Sequence, residues 1–315
     1  MTNKVINLCG IKSNGGLKIA EEILKQQNYK DTFVIYDNKK LEKNLINFKN
    51  QYLNLPRFLH PFLINFVNRD TARIINNSNS VIHVGGIAFK SKSKTITFIQ
   101  NILPLVKPLS STRNLLLNLL YKRSFKISKE ILVQQKHVSN LINIKNKVRI
   151  IGNFELKEPN NNTGKGFIAI LENVKNKNPK FLIELVNILT NENRFNFTLV
   201  LSGKIPQKLV RKLKQNSNLK IVKNDLENEF MNELINHKVY IHVSKFETVG
   251  LPIYEAMLSG LNVVIPKEDY FNFENENSFL YELNNINDAL EKSINAISVE
   301  NNSKIKVPVY FENWS

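Results

Sequence analysis

The stretch that decides the fold is Ser244-Lys-Phe-Glu-Thr-Val-Gly-Leu-Pro-Ile-Tyr-Glu-Ala-Met-Leu-Ser-Gly-Leu-Asn-Val-Val-Ile265. The apolar run Val239-Tyr-Ile-His-Val243 before it reads as a strand. A loop with Glu247 and Gly250 follows, then a helix predicted over 252–259, and a second strand over 262–265. Pro252 suits a first helical turn, and Gly260 stands where a left-handed residue closes a helix. The free backbone N–H groups at such a helix start form an anion-friendly site. Gly250 permits close backbone approach. Glu255, expected in the first helical turn, is placed to accept two hydrogen bonds from a vicinal diol such as a ribose. Glu247 reaches a second set of hydroxyls. Two glutamates eight residues apart mean little alone, because acidic residues are favoured near helix starts in any case.

Working outward, the second half alternates strands and helices. Strands are predicted over 197–201 and 220–223, and helices over 181–189 and 230–235. The first half repeats the pattern more loosely, with strands over 4–8, 32–36, 80–84 and 95–99, a helix over 17–26, and mostly helix over 115–136. Alternation of this kind implies a parallel sheet covered on both faces. The polar stretch Glu155-Leu-Lys-Glu-Pro-Asn-Asn-Asn-Thr-Gly164 reads as a linker. The expected organisation is an α/β fold of two Rossmann-like domains. A first domain spans 1–152, a linker 153–166 and a second domain 167–315, with a ligand cleft between the carboxyl ends of two sheets.

The whole string resembles the donor-site signature of retaining glycosyltransferases of the two-Rossmann-domain (GT-B) type, family 4, also called group 1. The resemblance rests on Phe-Glu-x-x-Gly-Leu-Pro-x-x-Glu-Ala-Met-x-x-Gly-x-x-Val-Val, found here at 246–264. Lys147-Val-Arg-Ile-Ile-Gly-Asn153, Leu199-Val-Leu-Ser-Gly203, Ser13-Asn-Gly-Gly16 and Phe98-Ile-Gln-Asn-Ile-Leu-Pro104 resemble further family segments. The resemblance implies a sugar transferred with retention from a nucleotide-sugar donor to a glycan or lipid-linked acceptor. It implies that Glu255 holds the nucleotide ribose. Glu247 and the amides of Thr248, Val249, Gly250 and Leu251 meet the transferred sugar and the phosphate. Lys177 neutralises charge on the departing diphosphate, and Gly15 and Gly16 form the N-terminal glycine loop. The family needs no metal ion and no other cofactor, and the chain lacks Asp-x-Asp. Glu247 and Lys177 are the catalytic candidates, and the remaining residues bind the donor.

The sequence also departs from the family. An arginine usually precedes the lysine on the diphosphate. Glu172-Asn173 stand there instead, and Lys175 is the nearest cation. Gln100-Asn101 replace a common histidine. The chain reaches Phe311-Glu-Asn-Trp-Ser315 with no crossing helix after it. These departures keep open a second reading, a catalytically weak or inactive member that binds nucleotide or glycan.

Composition sets the setting. Among 315 residues, 42% are hydrophobic and 23% charged, which is ordinary for a globular protein. Cys9 is the only cysteine, in an apolar run, and reads as core. With no apolar run near the ~20 residues that span a bilayer and no signal-type segment, a cytoplasmic protein is expected. The charge is lopsided. Residues 1–150 hold 25 Lys and Arg against 7 Asp and Glu, a net of +18, and the remainder nets −1. Such a field attracts anionic surfaces. Residues 115–129 combine leucines with Lys122, Arg123, Lys126 and Lys129. They read either as a segment lying on an anionic membrane or as a domain helix with a solvated basic face. A nucleic-acid partner is not expected, because aromatic-plus-basic recognition modules are lacking. His83 and His242 read as core or lining histidines, and Lys204 as either a phosphate contact or a surface lysine.

Overall fold

The computed structural model describes residues 2–106, 112–142, 144–151, 164–192, 195–213, 216–223, 229–271 and 277–300. The chain divides into two compact units, the described residues through Ile151 in one and those from Gly164 in the other. Most of the expected linker and the terminal Phe311–Ser315 segment lie outside the described residues.

The first unit is a parallel sheet of seven strands among its described residues. They are β1 (Lys4–Asn7), β2 (Thr32–Tyr36), β3 (Lys49–Tyr52), β4 (Ser80–His83), β5 (Lys94–Phe98), β6 (Glu130–Val133) and β7 (Val148–Ile150). Their order is β3-β2-β1-β4-β5-β6-β7, with every pair parallel. The order reverses between β1 and β4, the switch point of a doubly wound sheet. Helices α1 (Asn14–Lys25), α2 (Arg69–Asn77), α3 (Thr112–Ile127) and α4 (Lys136–Asn140) connect the strands. Two apolar clusters include opposite faces of β1: Ile6 and Leu8 pack with α1, and Val5 and Cys9 pack with Phe33, Ile75 and Phe89. Cys9 is buried, as its apolar setting suggests.

Among its described residues the second unit holds six parallel strands: β8 (Phe167–Glu172), β9 (Phe197–Ser202), β10 (Leu219–Lys223), β11 (Val239–Ile241), β12 (Asn262–Pro266) and β13 (Ser278–Tyr281). Their order is β10-β9-β8-β11-β12-β13, again reversing at the centre. Helices α5 (Pro179–Asn187), α6 (Gln207–Val210), α7 (Glu229–Leu234), α8 (Leu251–Leu258) and α9 (Ile286–Ser298) link them. The central strands are apolar on both faces. Ile241 and Val264 pack with α5 and α9, whereas Tyr240, Val263 and Ile265 pack with α8. Both units are thus Rossmann-like, as the alternation implied.

Three local expectations need correction. Residues 115–136 are not one helix: α3 stops at Ile127, and Glu130–Val133 forms β6 between β5 and β7. Ser128 ends the helix by folding its hydroxyl back onto the Ser124 carbonyl, and Ile131, Leu132 and Val133 gain more by filling the sheet than by prolonging an exposed helix. Glu255 lies in the second turn of α8, not the first, because the helix begins at Leu251. The strands β3, β8 and β13 and the helices α2 and α9 go beyond the elements expected from sequence.

Candidate functional site

The candidate site of the second unit is built where β8 and β11 end. After β11 the chain runs through His242 to Gly250 and then enters α8. Gly250 has φ +73°, and a Cβ there lies 3.0 Å from Ile253 Cδ1, so the turn requires glycine. The turn is closed by the Ile253 N–H donating to the Gly250 carbonyl at 2.9 Å. Leu251 and Pro252 occupy the first helical positions. Ile253, Ala256 and Met257 anchor α8 in the core. Glu255 is a carboxylate only 7% exposed on this otherwise apolar, buried helix.

After β8 the chain makes a short 3-10 turn, Lys175–Lys177, before α5. Asn178 follows with φ +48°, and Pro179 starts the helix. Asn176 staples this turn to the α8 loop. Its side-chain amide donates to the Phe246 carbonyl at 3.1 Å, and its own carbonyl accepts from the Lys245 N–H at 2.7 Å. The staple brings Lys177 Nζ to 2.6 Å from Glu247 Oε1 and 3.5 Å from Glu172 Oε2. His242 Nε2 lies 3.3 Å from the same Glu247 oxygen. The Tyr240 hydroxyl sits 3.1 Å from His242 Nδ1. With that hydroxyl donating, the proton of His242 is on Nε2 and faces Glu247.

The electrostatics follow from burial and partners. Burial alone raises the Glu247 carboxyl, but Lys177 and His242 outweigh it and hold the group well below the usual carboxylate range. Burial alone lowers Lys177, and Glu247 followed by Glu172 raises it above its ordinary value. Burial lowers His242 despite the opposing pull of Glu247. It pushes the Tyr240 phenol well up. At neutral pH Lys177 is therefore an ammonium against the ionised Glu247, and His242 is a neutral imidazole.

The structure brings Lys177 and Glu247 into direct contact and sets both beside the turn that starts α8, with Glu255 on that helix. Lys175 is exposed in the same 3-10 turn. Thr248 is half-buried, Val249 and Gly250 are buried, and Leu251 is half-buried at the helix start. Lys204 is exposed beyond Gly203. Gly15 and Gly16 belong to the first unit, in the first turn of α1. There the Gly16 N–H donates to the capping Ser13 hydroxyl at 3.1 Å. A Cβ on Gly16 lies 3.1 Å from Gln100 Oε1, so the glycine turn and Gln100 are neighbours. His83 is a core histidine, edge-on to Phe89 at 4.5 Å. His242, Asn176 and Glu172 were not among the candidates from sequence. Strand alternation put His242 on the face of Tyr240, but a single histidine in an apolar strand carries no spacing signal. Among the described residues no cluster of three or more His, Cys, Asp or Glu side chains is arranged to hold a metal ion.

Comparison with known proteins completes the picture. The family described as Glycosyl transferases group 1 matches residues 133–304, more than half of the chain. No curated protein matches in sequence. Among solved structures, HepE of Anabaena in complex with UDP-glucose is 13% identical, with TM-score 0.71 over 93% of this chain and 89% of that one. The lipopolysaccharide outer core galactosyltransferase WaaB, in its apo form, is 13% identical with TM-score 0.63, over 95% and 90%. TarM of S. aureus, in a variant complexed with UDP among other ligands, is 17% identical with TM-score 0.57. That match covers 90% of this chain, which spans only about half (52%) of TarM's length.

Proposed function

The chain belongs to the glycosyl transferases group 1 family, and on that premise we propose that it moves a sugar from a nucleotide diphosphate sugar to a glycan or lipid-linked acceptor. The observation that carries this reading is the Lys177–Glu247 contact, fixed at the start of α8 with the buried Glu255 on the same helix. In this reading the second unit binds the donor. Glu255 accepts hydrogen bonds from the ribose hydroxyls. The Gly250 turn at the positive end of α8 receives phosphate oxygens. Lys177 stabilises the charge that builds on the departing diphosphate. Glu247, ionised and oriented by Lys177, holds hydroxyls of the transferred sugar. The first unit, with its glycine turn and Gln100, takes the acceptor. Transfer proceeds with retention and without a metal ion or other cofactor.

The setting is the inner face of an anionic membrane, in the assembly of surface polysaccharide or lipopolysaccharide. Charge and α3 support it. α3 buries Leu117, Tyr121 and Phe125, yet leaves Leu115, Leu116 and Leu119 61%, 47% and 63% exposed, in line with exposed Lys122 and Lys126. Beside it Arg123 lies over the half-exposed Phe62 ring, 5.5 Å from its centroid. Exposed leucines backed by lysines suit an anionic lipid surface. Among the described residues no helix is long and apolar enough to cross the membrane.

One observation favours a second reading, a member that binds nucleotide but transfers slowly: Lys177 is already held by two carboxylates. A thermal-shift screen with UDP, GDP, ADP and their sugars, followed by transfer assays with the stabilising donors, separates the two. Ligand at about 100 times its dissociation constant adds about 2.7 kcal/mol of stability. The enzyme reading expects a stabilising donor whose sugar appears in product with its anomeric configuration kept, in EDTA as well as without it. Stabilisation by nucleotide with no transfer from any donor supports the slow member.

A further inference from the structure

We propose that Glu172 sets the affinity of the donor site by competing with the donor diphosphate for Lys177. The inference rests on the reading of Lys177 as the diphosphate-binding group. Glu172 is the last residue of β8, in register with Ser202 on β9. The Ser202 hydroxyl donates to Glu172 Oε1 at 3.2 Å. That bond leaves Oε2 aimed at Lys177 Nζ, 3.5 Å away. Lys177 also meets Glu247, at 2.6 Å. One cation thus faces two carboxylates, and the three groups together carry a net negative charge.

A diphosphate entering this place meets a lysine whose charge is already neutralised. The two carboxylates are not equivalent. Glu247 is the closer and is 11% exposed, with His242 behind it; Glu172 is the more distant and 31% exposed. Partial hydration makes Glu172 the cheaper of the two to separate from Lys177. Glu172 is then the carboxylate that yields when phosphate arrives. It stays close enough to repel the phosphate, because Ser202 holds it at the strand end. The consequence is a donor site whose affinity is deliberately modest, with release of the nucleoside diphosphate helped by the carboxylate that retakes the lysine.

Glu172→Gln tests this cleanly. The amide keeps the size of the side chain and an oxygen for the Ser202 hydroxyl, and removes the charge. Inorganic pyrophosphate, UDP, GDP and ADP are titrated calorimetrically into the unaltered chain, Glu172→Gln and Lys177→Met. The expected result is that Glu172→Gln binds pyrophosphate and the preferred nucleotide roughly three- to tenfold more tightly. The gain should shrink as salt is added. A variant that merely loosened the strand end would bind more weakly, not more tightly. Unchanged or weaker binding by Glu172→Gln, with Lys177→Met at least tenfold weakened, overturns the competition and leaves the donor site standing. Undiminished binding by Lys177→Met, or binding of none of the four probes by the unaltered chain, overturns both.

Discussion

Glu247 is ionised in a place where burial alone favours its neutral form, and Lys177 is the main reason. Removing the lysine takes away the main charge that holds this buried carboxylate ionised. Lys177→Met should therefore cost about 1–3 kcal/mol of stability, below the usual figure for a fully buried pair because the lysine is partly exposed. Urea denaturation measures this, and adding Glu247→Gln to Lys177→Met should recover part of the loss. The same groups set a pH dependence. The folded pKa of Glu247 is depressed, so its contribution is complete above the unfolded value near 4.5 and falls away as pH drops through the folded one. Histidines act earlier. His83, fully buried, is lowered to about 3 from 6.5, so the unfolded chain takes its proton first. Between pH 7 and 5 this residue alone should cost about 2 kcal/mol, and His60, His237 and His242 are lowered in the same direction. Urea midpoints at the two pH values check the sum. At this scale Glu247, Glu255 and Lys177 were legible, because each sits in a recognisable string. Glu172 was legible only as the residue standing where the family's arginine is expected, and His242 only as a core or lining histidine; their contacts with Lys177 and Glu247 depend on the pairing of β8 with β9 and on the path of the loop after β11.

At the scale of the element, the Gly250 turn and α8 carry the site. Gly250→Ala forces a Cβ into a left-handed turn and against Ile253. The strain should cost about 1–2 kcal/mol and shift the start of α8. Nucleotide binding should fall more than stability does, as paired thermal-shift and binding assays will record. On α3, replacing Leu115, Leu116 and Leu119 together by serine removes exposed apolar surface only. The thermal midpoint should hold while sedimentation with phosphatidylglycerol vesicles drops several-fold. Retained sedimentation contradicts the membrane reading of that face. The legibility of elements followed their boundaries. The second-half strands were marked by short β-branched runs between turn residues. Residues 115–136 misled because three apolar strand residues, Ile131, Leu132 and Val133, shortly after a leucine-rich helix look like its continuation. The true boundary, a hydroxyl folded back at Ser128, has no strong sequence sign.

At the scale of the whole molecule, two doubly wound sheets were legible from alternation alone, whereas their edges were not. β3 is an exposed, polar edge strand, Lys-Asn-Gln-Tyr, with none of the apolar pattern on which strand recognition depends. The charge divides between the halves as sharply as the fold does, +18 against −1. That asymmetry predicts that vesicle binding weakens steeply with salt, while donor binding, lodged in the nearly neutral half, responds less. The central claim is that the second unit holds a nucleotide sugar through Glu255 and the groups around Lys177. Calorimetric titration of UDP, GDP, ADP and their sugars into the chain and into Glu255→Gln and Glu255→Ala tests it most directly. At least one ligand should bind the unaltered chain and lose about a hundredfold in affinity in Glu255→Ala, the worth of two hydrogen bonds to a carboxylate, with circular dichroism unchanged. Equal affinity in the folded variants contradicts the account.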